Sequence, residues 1–197
     1  MKSWLALGDS YTIGESVPAA DCYPAQTVKI LKADKIDFKD PEIIATTGWT
    51  TTDLLSAIAA RSLNANYDLV TLLIGVNNQY QRRSLSEYEE QFTDLLQKAI
   101  YFAAENPSHV IVLSIPDYSI TPFAREYDID SIARQIDSFN LINKKIALAS
   151  QVHYINVTDE SRKAGNDLSL LANDGLHYSG KEYAIWAILL ANVIQNI

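Results

Sequence analysis

Cysteine is nearly missing from this chain: Cys22 is the only one in 197 residues. An intrachain disulfide and a Cys-based zinc site are both excluded. Histidine is almost as scarce, with His109, His153 and His177 the whole supply. Lys and Arg form no cluster and the formal net charge is -8, so the basic surface that nucleic acid requires is lacking. Long apolar runs are absent too. The longest, YAIWAILLANVI at 183–194, falls well short of the ~20 residues needed to cross a bilayer, which predicts no membrane span. It reads as a helix buried against a core. At the N-terminus, Lys2 leads into Trp4-Leu5-Ala6-Leu7, too short for the apolar region of a secretory signal and with no small-residue cleavage site behind it. The expected compartment is the cytoplasm, with a mature exported form that has lost its leader as the alternative.

What the chain does have is an alternation. Short apolar, β-rich runs occur at WLALG (4–8), EIIAT (42–46), LVTLLIG (69–75), VIVLSI (110–115) and VHYINV (152–157). Several are apolar at consecutive positions, as suits parallel strands covered on both faces. Segments of helical period lie between and after them: about 23–33, from the Thr50-Thr51-Thr52 cluster towards Ser62, from Ser86 to near Asn106-Pro107, 130–150, and from Ser179 almost to the C-terminus. Ser86 followed by Glu89 has the spacing of a capping box. Five β-α units predict an α/β fold, a parallel sheet sandwiched between helices with right-handed crossovers. No repeat or linker interrupts the chain, which predicts one domain over residues 1–197.

In a parallel sheet, ligands bind beyond the carboxyl ends of the strands. The residues expected there are Gly8-Asp9-Ser10, Thr47-Gly48-Trp49, Gly75-Val76-Asn77-Asn78, Pro116-Asp117-Tyr118 and, after a long loop, Asp174-Gly175-Leu176-His177. His109 and His153 fall at strand beginnings, on the opposite edge. His177 is therefore the only histidine placed to act as base for Ser10. Asp174, three residues earlier, can accept the Nδ1–H of His177 and leave Nε2 free to take the serine proton. An oxyanion needs donors, and the same rim offers the backbone N–H groups of Ser10 and Gly48 and the side-chain amide of Asn77.

Gly8-Asp9-Ser10, Gly48, Gly75-Val76-Asn77 and Asp174-Gly175-Leu176-His177 resemble, in order and spacing, the sequence blocks of the SGNH (GDSL) hydrolase family. The resemblance spans essentially the whole chain. It implies a flavodoxin-like three-layer α/β/α sandwich with five strands in the order 2-1-3-4-5, and no metal or cofactor. It also implies Ser10 as nucleophile, Asp174 and His177 as its triad partners, and Ser10, Gly48 and Asn77 as oxyanion donors. The expected substrate is a small-molecule ester, an acetyl or longer acyl ester of a carbohydrate or of a lipid-like alcohol. Two positions depart from the family pattern: Tyr11 stands where leucine usually follows the serine, and Asn78 stands where the third block usually ends in Asp. Both are expected at the substrate pocket, together with Trp49, Tyr80, Tyr118 and Phe123.

Each residue has a plainer reading when taken singly. Ser10 can be a helix N-cap, Asp174 a turn residue and Gly48 a tight turn. Their joint position on one rim favours chemistry. Two rival functions remain in view: a flavodoxin-like module binding a phosphate at the first strand–helix turn, and a catalytically silent carbohydrate-binding relative. GDSYTIGES has only two glycines and no P-loop lysine, which weakens the first.

Overall fold

A computed structural model describes all of residues 1–197. Five parallel strands form one sheet: β1 (Trp4–Gly8), β2 (Glu42–Ala45), β3 (Leu69–Leu73), β4 (Val110–Leu113) and β5 (His153–Ile155), in the order β2-β1-β3-β4-β5. Every pairing is parallel, with Leu7 opposite both Ile44 and Leu72, and Val112 opposite Leu72 and Tyr154. All residues of β1, β3 and β4 are buried, as their unbroken apolar runs require. β2 is an edge strand and is partly exposed.

Eight helices surround the sheet: α1 (Ser10–Ile13), α2 (Tyr23–Ala33), α3 (Thr51–Ala59), α4 (Val76–Tyr80), α5 (Leu85–Phe102), α6 (Ile129–Ala149), α7 (Thr158–Lys163) and α8 (Gly180–Ile194). The chain passes from β1 to β2 in one direction and from β2 through β3 and β4 to β5 in the other. Right-handed crossovers then set α2 on one face and α3, α5 and α6 on the other. The packing follows: α2 lies against α8, while α3, α5 and α6 form a row. The apolar 183–194 run lies in α8 and places Tyr183, Trp186, Leu190 and Ile194 in the core, while Ile188 faces out.

Helix starts follow local hydrogen bonding. Thr50 caps α3, and Asp53 returns a bond to the Thr50 backbone, a full capping box. The cap of α5 is Ser84, not Ser86: its hydroxyl accepts the Glu87 N–H, and Ser86 lies inside the helix. α5 also ends at Phe102, before Asn106-Pro107, because Ala104 and Glu105 take left-handed backbone angles. The short helices α4 and α7 carry no long apolar period and were not marked by sequence. No helix is long and apolar enough to cross a membrane.

This topology fixes where a site can form. Strand order reverses between β1 and β3, so their carboxyl ends diverge and leave a crevice. Ser10 follows β1 and Asn77 follows β3.

Candidate active site

Ser10 opens α1 directly after β1. Gly8, the last strand residue, has no room for a side chain: an added Cβ would lie 2.5 Å from the Leu73 carbonyl oxygen and 2.1 Å from Thr12 Oγ1. Asp9 is the N-cap of α1, its Oδ1 accepting the Tyr11 N–H at 3.1 Å. The cap is thus Asp9, and Ser10 is the first helical residue. Its N–H is one of those a helix leaves without an intrahelical acceptor. The other oxygen of Asp9 is buried with no partner, and burial pushes the carboxyl up to about 7 against the pull of the Tyr11 N–H.

Ser10 Oγ lies 2.9 Å from His177 Nε2, and His177 Nδ1 lies 2.6 Å from Asp174 Oδ2. Ser10 and His177 are only 5% and 7% exposed, so water competes weakly for these bonds. Asp174 and His177 form one local turn. Asp174 Oδ1 accepts the N–H groups of Leu176 and His177, each at 2.9 Å, and Ala172 N–H donates to the His177 carbonyl. A residue that no sequence pattern singles out completes it: Ser16 Oγ donates to Asp174 Oδ2 at 2.7 Å. Burial opposes ionisation of Asp174, but the bonds from Ser16, the His177 ring and the two backbone N–H groups outweigh it. The carboxyl is held well below the usual carboxylate range.

Gly48 has φ +84, a left-handed angle that favours glycine, and its N–H meets no acceptor within the chain. Thr47, beside it, donates to Glu15 and ties this loop to the turn after α1. Asn77 donates from Nδ2 to the Trp49 carbonyl at 2.9 Å, which links the exits of β2 and β3. An amide nitrogen carries two hydrogens, so the second remains available.

Beside Ser10 and His177 is a cavity of about 240 Å³, lined mainly by Tyr11, Val76, Tyr80, Tyr118, Phe123 and Leu176. Of the residues expected at a pocket, Tyr11, Tyr80, Tyr118 and Phe123 are in this wall. Two are not. The Trp49 side chain packs against the core and contributes only its carbonyl. Asn78 is fully buried and faces α3, where its Oδ1 accepts the Thr51 N–H and its Nδ2 donates to Thr51 Oγ1. Thr51 in turn gives its hydroxyl proton to Gln91, so its oxygen needs a donor, which an amide supplies and a carboxylate does not. Val76 and Leu176 were expected on this rim but not in the pocket wall, because an apolar residue in a short loop or helix carries no periodic signal.

Tyr11 has a second role. Its ring meets the His177 ring edge-to-face at 5.5 Å and is backed by Tyr178 and Trp186. The His177 ring is therefore held between a carboxylate and an aromatic stack. His109 and His153 stand at the amino ends of β4 and β5, on the far edge. The structure contains no group of three or more His, Cys, Asp and Glu side chains arranged to hold a metal ion.

The chain belongs to the GDSL-like lipase/acylhydrolase family, whose sequence profile matches residues 6–185. It is a hydrolase acting on ester bonds. Among solved structures it is similar to a lipase/acylhydrolase from Enterococcus faecalis, at 18% identity over 100% of this chain and 96% of that one, with a TM-score of 0.78. The acetylxylan esterase Axe2 from Geobacillus stearothermophilus shows 20% identity over 98% of this chain and 94% of its own, with a TM-score of 0.76. The psychrotrophic esterase EstA from Pseudoalteromonas sp. shows 15% identity over 100% and 98%, with a TM-score of 0.72. No curated protein sequence matches the chain.

Proposed function

We propose that the protein is a serine esterase with a Ser10–His177–Asp174 triad that works through an acyl-enzyme. The observation that carries this reading is the continuous hydrogen-bond chain from Ser10 Oγ through both ring nitrogens of His177 to Asp174, at 2.9 and 2.6 Å. Ser10 Oγ attacks the ester carbonyl carbon and His177 Nε2 takes the hydroxyl proton. Asp174 fixes the tautomer and stabilises the imidazolium that forms. The carbonyl oxygen becomes an oxyanion held by the N–H groups of Ser10 and Gly48 and by the free hydrogen of the Asn77 amide. The C–O bond to the alcohol breaks, and His177 gives its proton to the departing oxygen. Water then attacks the acyl-enzyme with His177 again as base, and the carboxylic acid leaves.

The apolar cavity beside Ser10 supports a short acyl group there, since its wall offers aromatic and aliphatic carbon and few polar partners. Steady-state hydrolysis of p-nitrophenyl acetate tests the assignment. Ser10→Ala is expected to lose the activity while keeping its circular dichroism spectrum. Retained hydrolysis in a folded variant removes Ser10 from the role.

A further inference from the structure

Next to the apolar cavity lies a larger groove of about 670 Å³, and Tyr80 and Tyr118 line both. The two walls differ in chemistry. Along the groove runs a file of neutral polar groups. Tyr118 Oη donates to Gln79 Oε1 at 2.9 Å, Gln79 Nε2 donates to Gln135 Oε1 at 3.0 Å, and Gln135 Nε2 donates to Ser131 Oγ at 2.9 Å. Each amide is oriented by its neighbour, and each keeps a spare hydrogen or lone pair. Over them stand Tyr80 and Tyr127, 48% and 49% exposed, two large aromatic rings left open beside a catalytic cavity.

We infer that this groove seats the alcohol half of the ester, and that this alcohol is a carbohydrate. The inference rests on the serine-esterase reading, which places the scissile bond at Ser10, in the cavity that shares Tyr80 and Tyr118 with the groove. Leu85, Ile132 and Phe139 add apolar wall, but an aliphatic chain lying along it would strip water from the amides and return no hydrogen bonds. An anion would find one cation without an ion pair, Arg82, and that charge is offset by Asp128 in the same groove, while Arg83 is already paired with Glu87. A sugar has hydroxyls that both donate and accept, which matches fixed amides, and C–H faces that lie on Tyr80 and Tyr127. The volume falls within the ~300–1,000 Å³ of sites that enclose ligands of several rings. The short acyl group and the sugar thus occupy separate, adjoining spaces.

The test compares kcat/KM for two substrates that share an acetyl group, a mono-O-acetylated disaccharide and p-nitrophenyl acetate, in the parent enzyme, Gln135→Ala and Tyr127→Ala. Both replaced residues are exposed, so folding is expected to survive, and urea midpoints check it. The ratio of disaccharide to aryl-ester kcat/KM is expected to fall about fivefold to tenfold in each variant, through KM. An unchanged ratio overturns the inference, as does a parent enzyme that fails to hydrolyse the disaccharide while cleaving the aryl ester. Ser10→Ala separates the two levels. If it abolishes aryl-ester hydrolysis while the groove variants leave the ratio unmoved, the serine reading stands and the carbohydrate groove falls. If it retains aryl-ester hydrolysis, the serine reading itself falls.

Discussion

Ser16 and His177 share one oxygen atom: the Ser16 hydroxyl and the His177 ring nitrogen meet Asp174 Oδ2 at 2.7 and 2.6 Å. Ser16 reaches this position because its own backbone is left-handed, φ 66, at the close of the turn after α1. The segment that supplies Ser10 therefore also braces Asp174.

Ser16→Ala removes one of the bonds that hold the Asp174 carboxylate, so that group moves up towards its ordinary range. Its folded value is depressed, so the stability it contributes is present above the unfolded value of 3.8 and is lost as pH falls through the folded one. The variant loses that contribution at a higher pH than the parent. Its kcat is expected to fall about threefold to tenfold with KM unchanged, the size of one hydrogen bond. An acid-denaturation midpoint and a kcat that match the parent's would show that the Ser16 bond does no positioning.

Asp9 titrates in the opposite sense. Its carboxyl moves from 3.8 in the unfolded chain up to about 7 in the fold, because burial penalises the charge. Across that window the folded state keeps a proton that the unfolded chain has released, so stability declines as pH rises. Asn at this position keeps an oxygen for the Tyr11 N–H and has nothing to ionise. The gain in urea midpoint of Asp9→Asn over the parent is expected to grow between pH 5 and pH 8. A difference that stays constant with pH contradicts a raised Asp9.

Asn77→Ala is expected to lower kcat by about 10²–10³ if its free amide hydrogen reaches the oxyanion. The same change cuts the bond to the Trp49 carbonyl. Gly48→Ala keeps its backbone N–H and no atom lies within 4 Å of an added Cβ, so its kcat is expected to fall only as far as the strain of φ +84 displaces that N–H. A normal kcat in Asn77→Ala removes the amide from it.

Tyr11→Leu restores the residue usual at this place in the family and tests what the tyrosine does. The ring lines the acyl cavity and is 2% exposed, packed on His177, Tyr178 and Trp186. Shortening it deepens the cavity and costs about 1–3 kcal/mol of stability. Among p-nitrophenyl esters of rising chain length, the preferred acyl chain is expected to lengthen. An unaltered chain-length profile shows that Tyr11 does not bound the acyl group.

The parts legible in the sequence are those with a local code. Short apolar, β-rich runs marked the five strands, and strand exits marked where Ser10 and Asn77 would stand. Asp174 and His177 were legible together because three residues of separation already place them on one turn. The illegible parts depend on distant partners. Nothing near Ser16 announces Asp174, which is 158 residues away in sequence. Asn78 stood in a loop of polar residues, yet its direction was decided by Thr51 and Gln91, contributed by α3 and α5. Trp49 was drawn away from the pocket by the core, which no single stretch of sequence reveals.

The central claim is that Ser10 is made nucleophilic by His177, and phosphonylation tests it most directly. The intact protein, treated with a fluorophosphonate and digested, is examined by peptide mass spectrometry. Addition of one phosphonyl group is expected on the peptide containing Ser10, with the modification absent from Ser10→Ala and strongly slowed in His177→Ala. Labelling that is missing from the parent, or equally fast in the folded His177→Ala variant, would contradict it.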